Sequence, residues 1–167
     1  MIVVGIDPGT AITGYGVIRK ERDTLKCLTC GVWTTASTMS APDRLLKIYN
    51  HFNELLDLYQ PNEVATERLF FTSNVTTGIP VGRSLGVILL TLAQRGLPWT
   101  EYTPTQVKNA VVGVGSADKQ QIQYMVTRIL SLPAPPKPDD AADALAIAIC
   151  HANMIRPATP VRKAVRG

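Results

Sequence analysis

Four carboxylates occupy positions from which a folded chain could bring them together: Asp7, Glu67, Asp140 and Asp143. Asp7 closes the β-branched run Ile2-Val3-Val4-Gly5-Ile6, and Pro8-Gly9 forces a turn directly after it. A carboxylate is thereby left at the carboxyl edge of an apolar strand, where open α/β sheets bind ligands. Glu67 lies near the end of a later strand, Glu63–Leu69. Asp140 and Asp143 fall in the first turns of the last helix, three residues apart, on one face with about 5–6 Å between them. If the two strands are adjacent and parallel, Asp7 and Glu67 share an edge. Packing the apolar Leu145–Ile149 segment on the sheet turns the helical acids towards that edge as well. Four carboxylates so placed repel unless cations hold them, and their hard oxygen donors suit Mg²⁺ or Mn²⁺. Two such ions, ~4 Å apart, activate water and stabilise the leaving oxygen in phosphodiester hydrolysis. Acids at a helix N-terminus also complement the helix dipole, which would account for Asp139, Asp140 and Asp143 on their own. It does not account for Asp7 and Glu67. Spacing alone leaves open whether Asp140 or Asp139 is the partner of Asp143.

The elements that must position these acids follow from local pattern. Tyr15–Lys20 and Thr24–Thr34 read as a hairpin after the first strand, with the polar Lys20–Asp23 between them. Ser40-Ala41-Pro42-Asp43 opens a helix as cap, proline and first-turn acid. Its stripe Leu45, Ile48, Phe52, Leu55, Leu56, Tyr59 belongs to the core, and Pro61-Asn62 ends it. After the strand Glu63–Leu69 and a polar loop, a second helix spans about Gly78–Arg95 and stops at Gly96. Gly78, Gly82 and Gly86 leave one of its faces nearly bare, which permits close helix packing. Leu97–Tyr102 is a further strand, and Thr103-Pro104 caps a short helix to Val112. Ser116 then caps a helix from Ala117 to about Leu130, and a stiff proline-rich connector leads to the last helix, Asp139–Met154. The order β-β-β-α-β-α-β-α-α-α implies a mixed α/β sheet of five strands, its three later strands parallel, with helices on both faces. Residues 1–155 form one domain, followed by a basic tail, 156–167.

Composition sets bounds on partners. A chain of 167 residues with 46% hydrophobic and 18% charged residues folds as one globular domain. No apolar run approaches the ~20 residues of a membrane helix, and the start lacks a signal-peptide pattern, so the expectation is a cytoplasmic protein without a membrane partner. The net charge of +4 resides in the acid-free tail, with Arg156, Arg162, Lys163 and Arg166. Within the body, Arg68–Lys137 carries seven basic residues against Glu101 and Asp118, an asymmetry that suits a polyanion. Arg83, Lys108 and Lys119 lie in that stretch and are candidate DNA contacts. Cys27 and Cys30, three apart on a strand, are expected on opposite faces roughly 10 Å apart, so neither a disulfide nor a metal pair is expected. Cys150-His151 lacks further ligands at zinc spacing.

Taken together, the motifs resemble one family. Gly5-Ile6-Asp7-Pro8-Gly9-Thr10 with Thr13-Gly14-Tyr15-Gly16, then Glu67, then Asp140-Ala-Ala-Asp143-Ala-Leu-Ala-Ile-Ala, is similar to the RuvC family of bacterial Holliday-junction resolvases. Gln106-Val107-Lys108, Val111-Val112-Gly113 and Gly115-Ser116-Ala117-Asp118-Lys119 match it in order, so the likeness runs from Met1 to about His151. The resemblance implies an RNase H-like fold, a homodimer, and Mg²⁺- or Mn²⁺-dependent cleavage at four-way DNA junctions beside a branch-migration motor. It selects Asp7, Glu67, Asp140 and Asp143 as the metal-holding acids. Lys108 and Lys119 fall at its DNA-contacting or catalytic lysines, and Phe70 at an aromatic that stacks near the junction centre. Gly82-Arg83-Ser84-Leu85-Gly86 departs from the family pattern, so no contact is carried over to Arg83. Asp7-Pro8-Gly9-Thr10 with Thr13-Gly14 also resembles the first phosphate loop of actin-like ATPases, which need a second, similar half. A binding protein that does not cut is the third reading, and four intact acids oppose it.

Overall fold

A computed structural model describes residues 1–69 and 75–155. Five strands form one sheet: β1 (Ile2–Asp7), β2 (Ile12–Glu21), β3 (Thr24–Thr34), β4 (Glu63–Glu67) and β5 (Trp99–Tyr102). Their order is β3-β2-β1-β4-β5. β2 pairs antiparallel with both β1 and β3, whereas β4 is parallel to β1 and β5 to β4. Only β2 is reversed, so the three later strands do run the same way. The helices are α1 (Ala41–Tyr59), α2 (Val75–Arg95), α3 (Pro104–Val112), α4 (Lys119–Ile129) and α5 (Asp139–Met154).

Each face of the sheet has its own apolar layer. Val4, Ile6, Val17 and Val64 pack with Ile48, Phe52, Leu56, Ile88 and Leu92 under α1 and α2. Val3, Ile18, Ala65 and Tyr102 pack with α3, α4 and the buried stretch Leu145–Cys150 of α5 on the other face. At Gly5 and Gly14 the backbone of α5 comes directly onto β1 and β2. A Cβ on Gly5 would collide with the Ala144 carbonyl and come within 2.6 Å of the Ala148 nitrogen. Two glycines at such positions let a helix backbone lie directly on a sheet.

Several boundaries differ from the sequence reading. β2 begins at Ile12 rather than Tyr15, because Ile12–Gly14 pair with β3 and Gly14 also pairs with β1. β4 stops at Glu67 and β5 starts only at Trp99, the span over which the two are in register. α4 is capped by Asp118, not Ser116: Asp118 Oδ1 accepts from the Gln121 amide at 2.8 Å and Gln121 Oε1 from the Asp118 amide at 3.0 Å. That reciprocal box satisfies two end groups where serine could satisfy one. Cys27 and Cys30 share a face, against expectation. A bulge opposite Val17 and Ile18 inserts Leu28, which packs on the α1 side and restores both cysteines to the α5 side. Their thiols adjoin, and burial pushes the Cys27 thiol up to about 12. Phe70, Phe71 and the tail 156–167 lie outside the described residues.

Candidate active site

The parallel pairing of β1 with β4 places Asp7 and Glu67 at the same edge of the sheet. Helix α5 delivers the other two acids. Gly14 is the ladder partner of Asp7, and the Asp140 backbone occupies the space above it. The contact of α5 with glycine therefore fixes Asp140, and one turn on Asp143, beside the end of β1. Pro138 supplies no side-chain cap to α5, so Asp139 and Asp140 are the polar groups of its first turn.

The charges register this proximity. Burial, then the like charges of Asp143, Glu67 and Asp140, push the Asp7 carboxyl up to about 7, while Lys119 pulls it back. Glu67 is raised by burial and by Asp143 and lowered by Lys108. Asp143 is raised by burial, lowered by Lys119 and raised again by Asp140 and Asp139. A carboxylate near 7 with three acidic neighbours is a strained electrostatic arrangement without a cation, one that folding alone would not favour.

A cleft of 220 Å³ opens beside the acids, lined by Glu67 and Asp143 together with Lys108 and Lys119. Lys108 stands on α3, whose Val107 and Val111 are buried, and Lys119 is the first residue of α4. The Lys119 Nζ lies 3.9 Å from Asp143 Oδ2 and 4.0 Å from Asp139 Oδ2. Asp139 also accepts from Gln123 Nε2 at 2.7 Å and points towards solvent, so it ties α4 to α5. Arg83 is exposed on α2 and does not line this cleft. Of the expected residues, then, the four acids and the two lysines come together, and Arg83 stands apart. The glycines of β1 and β2 that seat α5 were not recognised from the sequence. Their signal was present in the alternation of Gly14 and Gly16 opposite Gly5.

The donor set fits a hard divalent ion. It consists of carboxylate oxygens whose mutual repulsion a cation would relieve. Among the described residues no three acid, histidine or cysteine side chains stand close enough together to hold a metal ion as they are placed.

The chain is similar to known proteins over nearly its whole length. A family model, Crossover junction endodeoxyribonuclease RuvC, matches residues 3–151. The crossover junction endodeoxyribonuclease RuvC of Desulfitobacterium hafniense is 54% identical over 155 residues, covering 93% of this chain and 94% of that one. The corresponding protein of a Roseiflexus species is 53% identical over 156 residues, with 92% and 93% covered. Among solved structures, Thermus thermophilus RuvC in complex with Holliday junction substrate superposes with a TM-score of 0.86 at 38% identity, covering 91% of this chain and 93% of that chain.

Proposed function

The chain belongs to the RuvC family of crossover junction endodeoxyribonucleases, and on that footing we propose that its four acids hold two Mg²⁺ or Mn²⁺ ions for cutting four-way DNA junctions. Membership sets aside the ATPase and non-cutting readings. The observation that carries the site is the position of Asp7, half-buried at the end of β1 beside Glu67 of β4 and Asp140 and Asp143 of α5, whose charges add to burial in raising its carboxyl. When bound, ions of this kind supply Lewis acidity to the attacking and leaving oxygens of a phosphodiester. The residues themselves do the positioning. Asp7 and Glu67 are fixed by adjacent parallel strands, so their separation cannot drift. Asp140 and Asp143 are fixed by the glycine contact under α5. Lys119 and Lys108 line the cleft with the acids and neutralise the phosphate as negative charge builds on it. Water adds to phosphorus, the 3′ oxygen leaves with a proton, and a 5′-phosphate and 3′-hydroxyl remain.

Resolution requires two cuts of like polarity, and one such site cuts one strand. A two-fold homodimer supplies both. On α2, Ile79, Arg83, Gly86 and Leu90 form an exposed stripe, with Ile79 47% and Leu90 59% accessible. That stripe is the proposed dimer face, Arg83 placing a charge at its border. Phe70 is proposed to stack on an opened base, and a branch-migration motor to act beside the dimer. No helix is long and apolar enough to cross a membrane among the described residues, and a cytoplasmic site of action is proposed. The nuclease domain spans 1–155, with 156–167 as a basic tail.

The test incubates the protein with end-labelled four-way junction DNA and Mn²⁺ or Mg²⁺. Paired, symmetric nicks that ligase reseals are expected. Unpaired nicks, ends refractory to ligase, or no cleavage with either ion would overturn the reading.

A further inference from the structure

On the α1 and α2 side of the sheet, the turn after Asp7 borders a second basic group that the acids and the two lysines do not use. A groove of 470 Å³ runs along Gly9–Ile12 and is closed by Arg44 of α1 and by Pro80 and Val81 of α2. Arg44 is half-buried, and its Nε donates to Thr35 Oγ1 at 2.7 Å. Thr35 is buried, and its hydroxyl donates to the Thr10 carbonyl at 2.5 Å. The Thr10 hydroxyl in turn donates to the Pro80 carbonyl at 2.6 Å. Two hydrogen bonds therefore register the guanidinium to the turn that begins at Asp7.

Among the described residues, Arg44 lacks the carboxylate partner that some other arginines have. Arg68 is paired with Glu101 and Arg95 with Asp57, whereas Arg44 has no carboxylate partner among the described residues. Of its five N–H donors Thr35 takes the one on Nε. Neither terminal nitrogen has a partner among the described residues, and a guanidinium gripped at Nε presents them as a fixed fork that matches two phosphate oxygens.

We infer that Arg44, oriented by Thr35, binds a backbone phosphate of the strand being cut, on the opposite flank of the Asp7 turn from Lys108 and Lys119. The inference rests on the nuclease reading of the acids, since that reading makes DNA the anion that passes this groove. Phosphate contacts on both flanks would hold the strand in register over Asp7, which one flank alone cannot do.

The experiment uses the full chain, junction DNA and three variants, Arg44→Gln, Arg44→Lys and Thr35→Val. Wild-type cleavage with Mn²⁺ is the control for the nuclease reading, and its absence would sink that reading rather than report on Arg44. Given cleavage, Arg44→Gln is expected to weaken junction binding about tenfold and to lower the slope of log affinity against log salt by about one. Its rate at saturating DNA should fall as well, because the strand loses the contact that holds it in register over Asp7, while its melting temperature should stay near wild type. Arg44→Lys should keep the salt slope while losing part of the affinity, and Thr35→Val should weaken binding with no change of charge. Neutral methylphosphonate linkages placed singly along the cut strand supply a second readout. One linkage should cost the wild type affinity and cost Arg44→Gln nothing. A wild-type salt slope and a wild-type linkage profile in Arg44→Gln would overturn the inference. So would a drop in melting temperature with both of those unchanged, which is the behaviour of a structural brace.

Discussion

Gly14 lies directly beneath the backbone of Asp140: a Cβ at residue 14 would strike the Asp140 carbonyl and stand 2.7 Å from its carbonyl carbon. Because Gly14 is also the ladder partner of Asp7, a single close contact sets the distance between acids 133 residues apart in sequence. The obstacle is backbone on both sides, so a methyl group cannot be accommodated by a rotamer change. Gly14→Ala is expected to displace α5 and to lower junction cleavage at least tenfold. Overpacking of this kind costs about 1–3 kcal/mol, visible as a drop in thermal midpoint. Unchanged cleavage would show that the acids are held by something other than this seat.

Asp7 should be a destabilising residue in the absence of metal. Its carboxyl is raised to about 7 from an ordinary value of 3.8, so the folded chain binds that proton more tightly than the unfolded chain. Stability from this group is complete below 3.8 and is lost as pH rises towards 7. In EDTA at pH 7.5, Asp7→Asn is therefore expected to melt higher than wild type, by roughly 2–8 °C. Mn²⁺ should raise the midpoint of the wild type and leave the variant unmoved. The same variant should bind junction DNA and fail to cut it. A variant that melts lower than wild type in EDTA would contradict the repulsion.

The acids were legible in the sequence and their seat was not, for a physical reason. Asp7 is announced by a turn one residue away, and α5 by the acids and alanines within it, all local signals. The seat depends on which helix crosses which strand, a fact that Gly5 and Gly14 do not carry alone. Leu28 makes the same point. The bulge that returns Cys27 and Cys30 to one face belongs to the pairing with β2 and leaves no mark on the alternation of β3 itself. Asp118 displaced Ser116 as the cap because Gln121 stands at the reciprocating position. That signal is local, since Asp118 and Gln121 are three residues apart.

Beneath α5 a buried chain of three side chains crosses from β5 to β4. His151 Nδ1 lies 2.8 Å from the Tyr102 hydroxyl and its Nε2 lies 2.9 Å from Glu63 Oε2. Burial lowers the His151 pKa below 6.5, and Glu63 opposes that shift. The depressed value contributes stability that is present above 6.5 and is lost as pH falls below it, opposite in sign to Asp7. Tyr102→Phe leaves one imidazole nitrogen buried without a partner, at a cost of about 1–3 kcal/mol in urea unfolding. Cleavage at pH 7.5 should remain. Tyr102 is the ladder partner of Glu67, but the change removes only the hydroxyl, which is directed to His151 at the other end of α5 from Asp140 and Asp143. A variant as stable as wild type would mean that the hydroxyl contributes no net hydrogen-bond energy.

Asp139 and Asp140 are adjacent and both raise Asp143, yet only Asp140 also raises Asp7. Asp139 is exposed and engaged with Gln123 and Lys119 across the α4–α5 gap, while Asp140 adds to the charge felt by Asp7. The exposed pair with Lys119 is worth little in water. Asp139→Asn is expected to cleave within about threefold of wild type, and Asp140→Asn to fall by at least a hundredfold. Equal losses from the two would assign Asp139 to the metal-holding set.

Gly86 offers a test of the dimer that the monomer fold does not confound. It lies mid-helix on α2 with nothing within 4 Å of where a Cβ would stand, so Gly86→Ala meets no clash. In an isolated chain the change should stabilise the helix by about 0.5–1 kcal/mol, because alanine loses less backbone entropy than glycine. At a close two-fold contact between α2 helices the added methyl would instead hold the backbones apart, and Gly86→Arg would do so more strongly. The expected result is a dimer at micromolar concentration for wild type in sedimentation equilibrium, weakened in Gly86→Ala and lost in Gly86→Arg, with thermal midpoints that do not fall in step. Junctions cut by Gly86→Arg should carry single, unpaired nicks, since each monomer retains its acids. A Gly86→Arg protein that stays dimeric and makes paired nicks would place the two-fold axis on another surface.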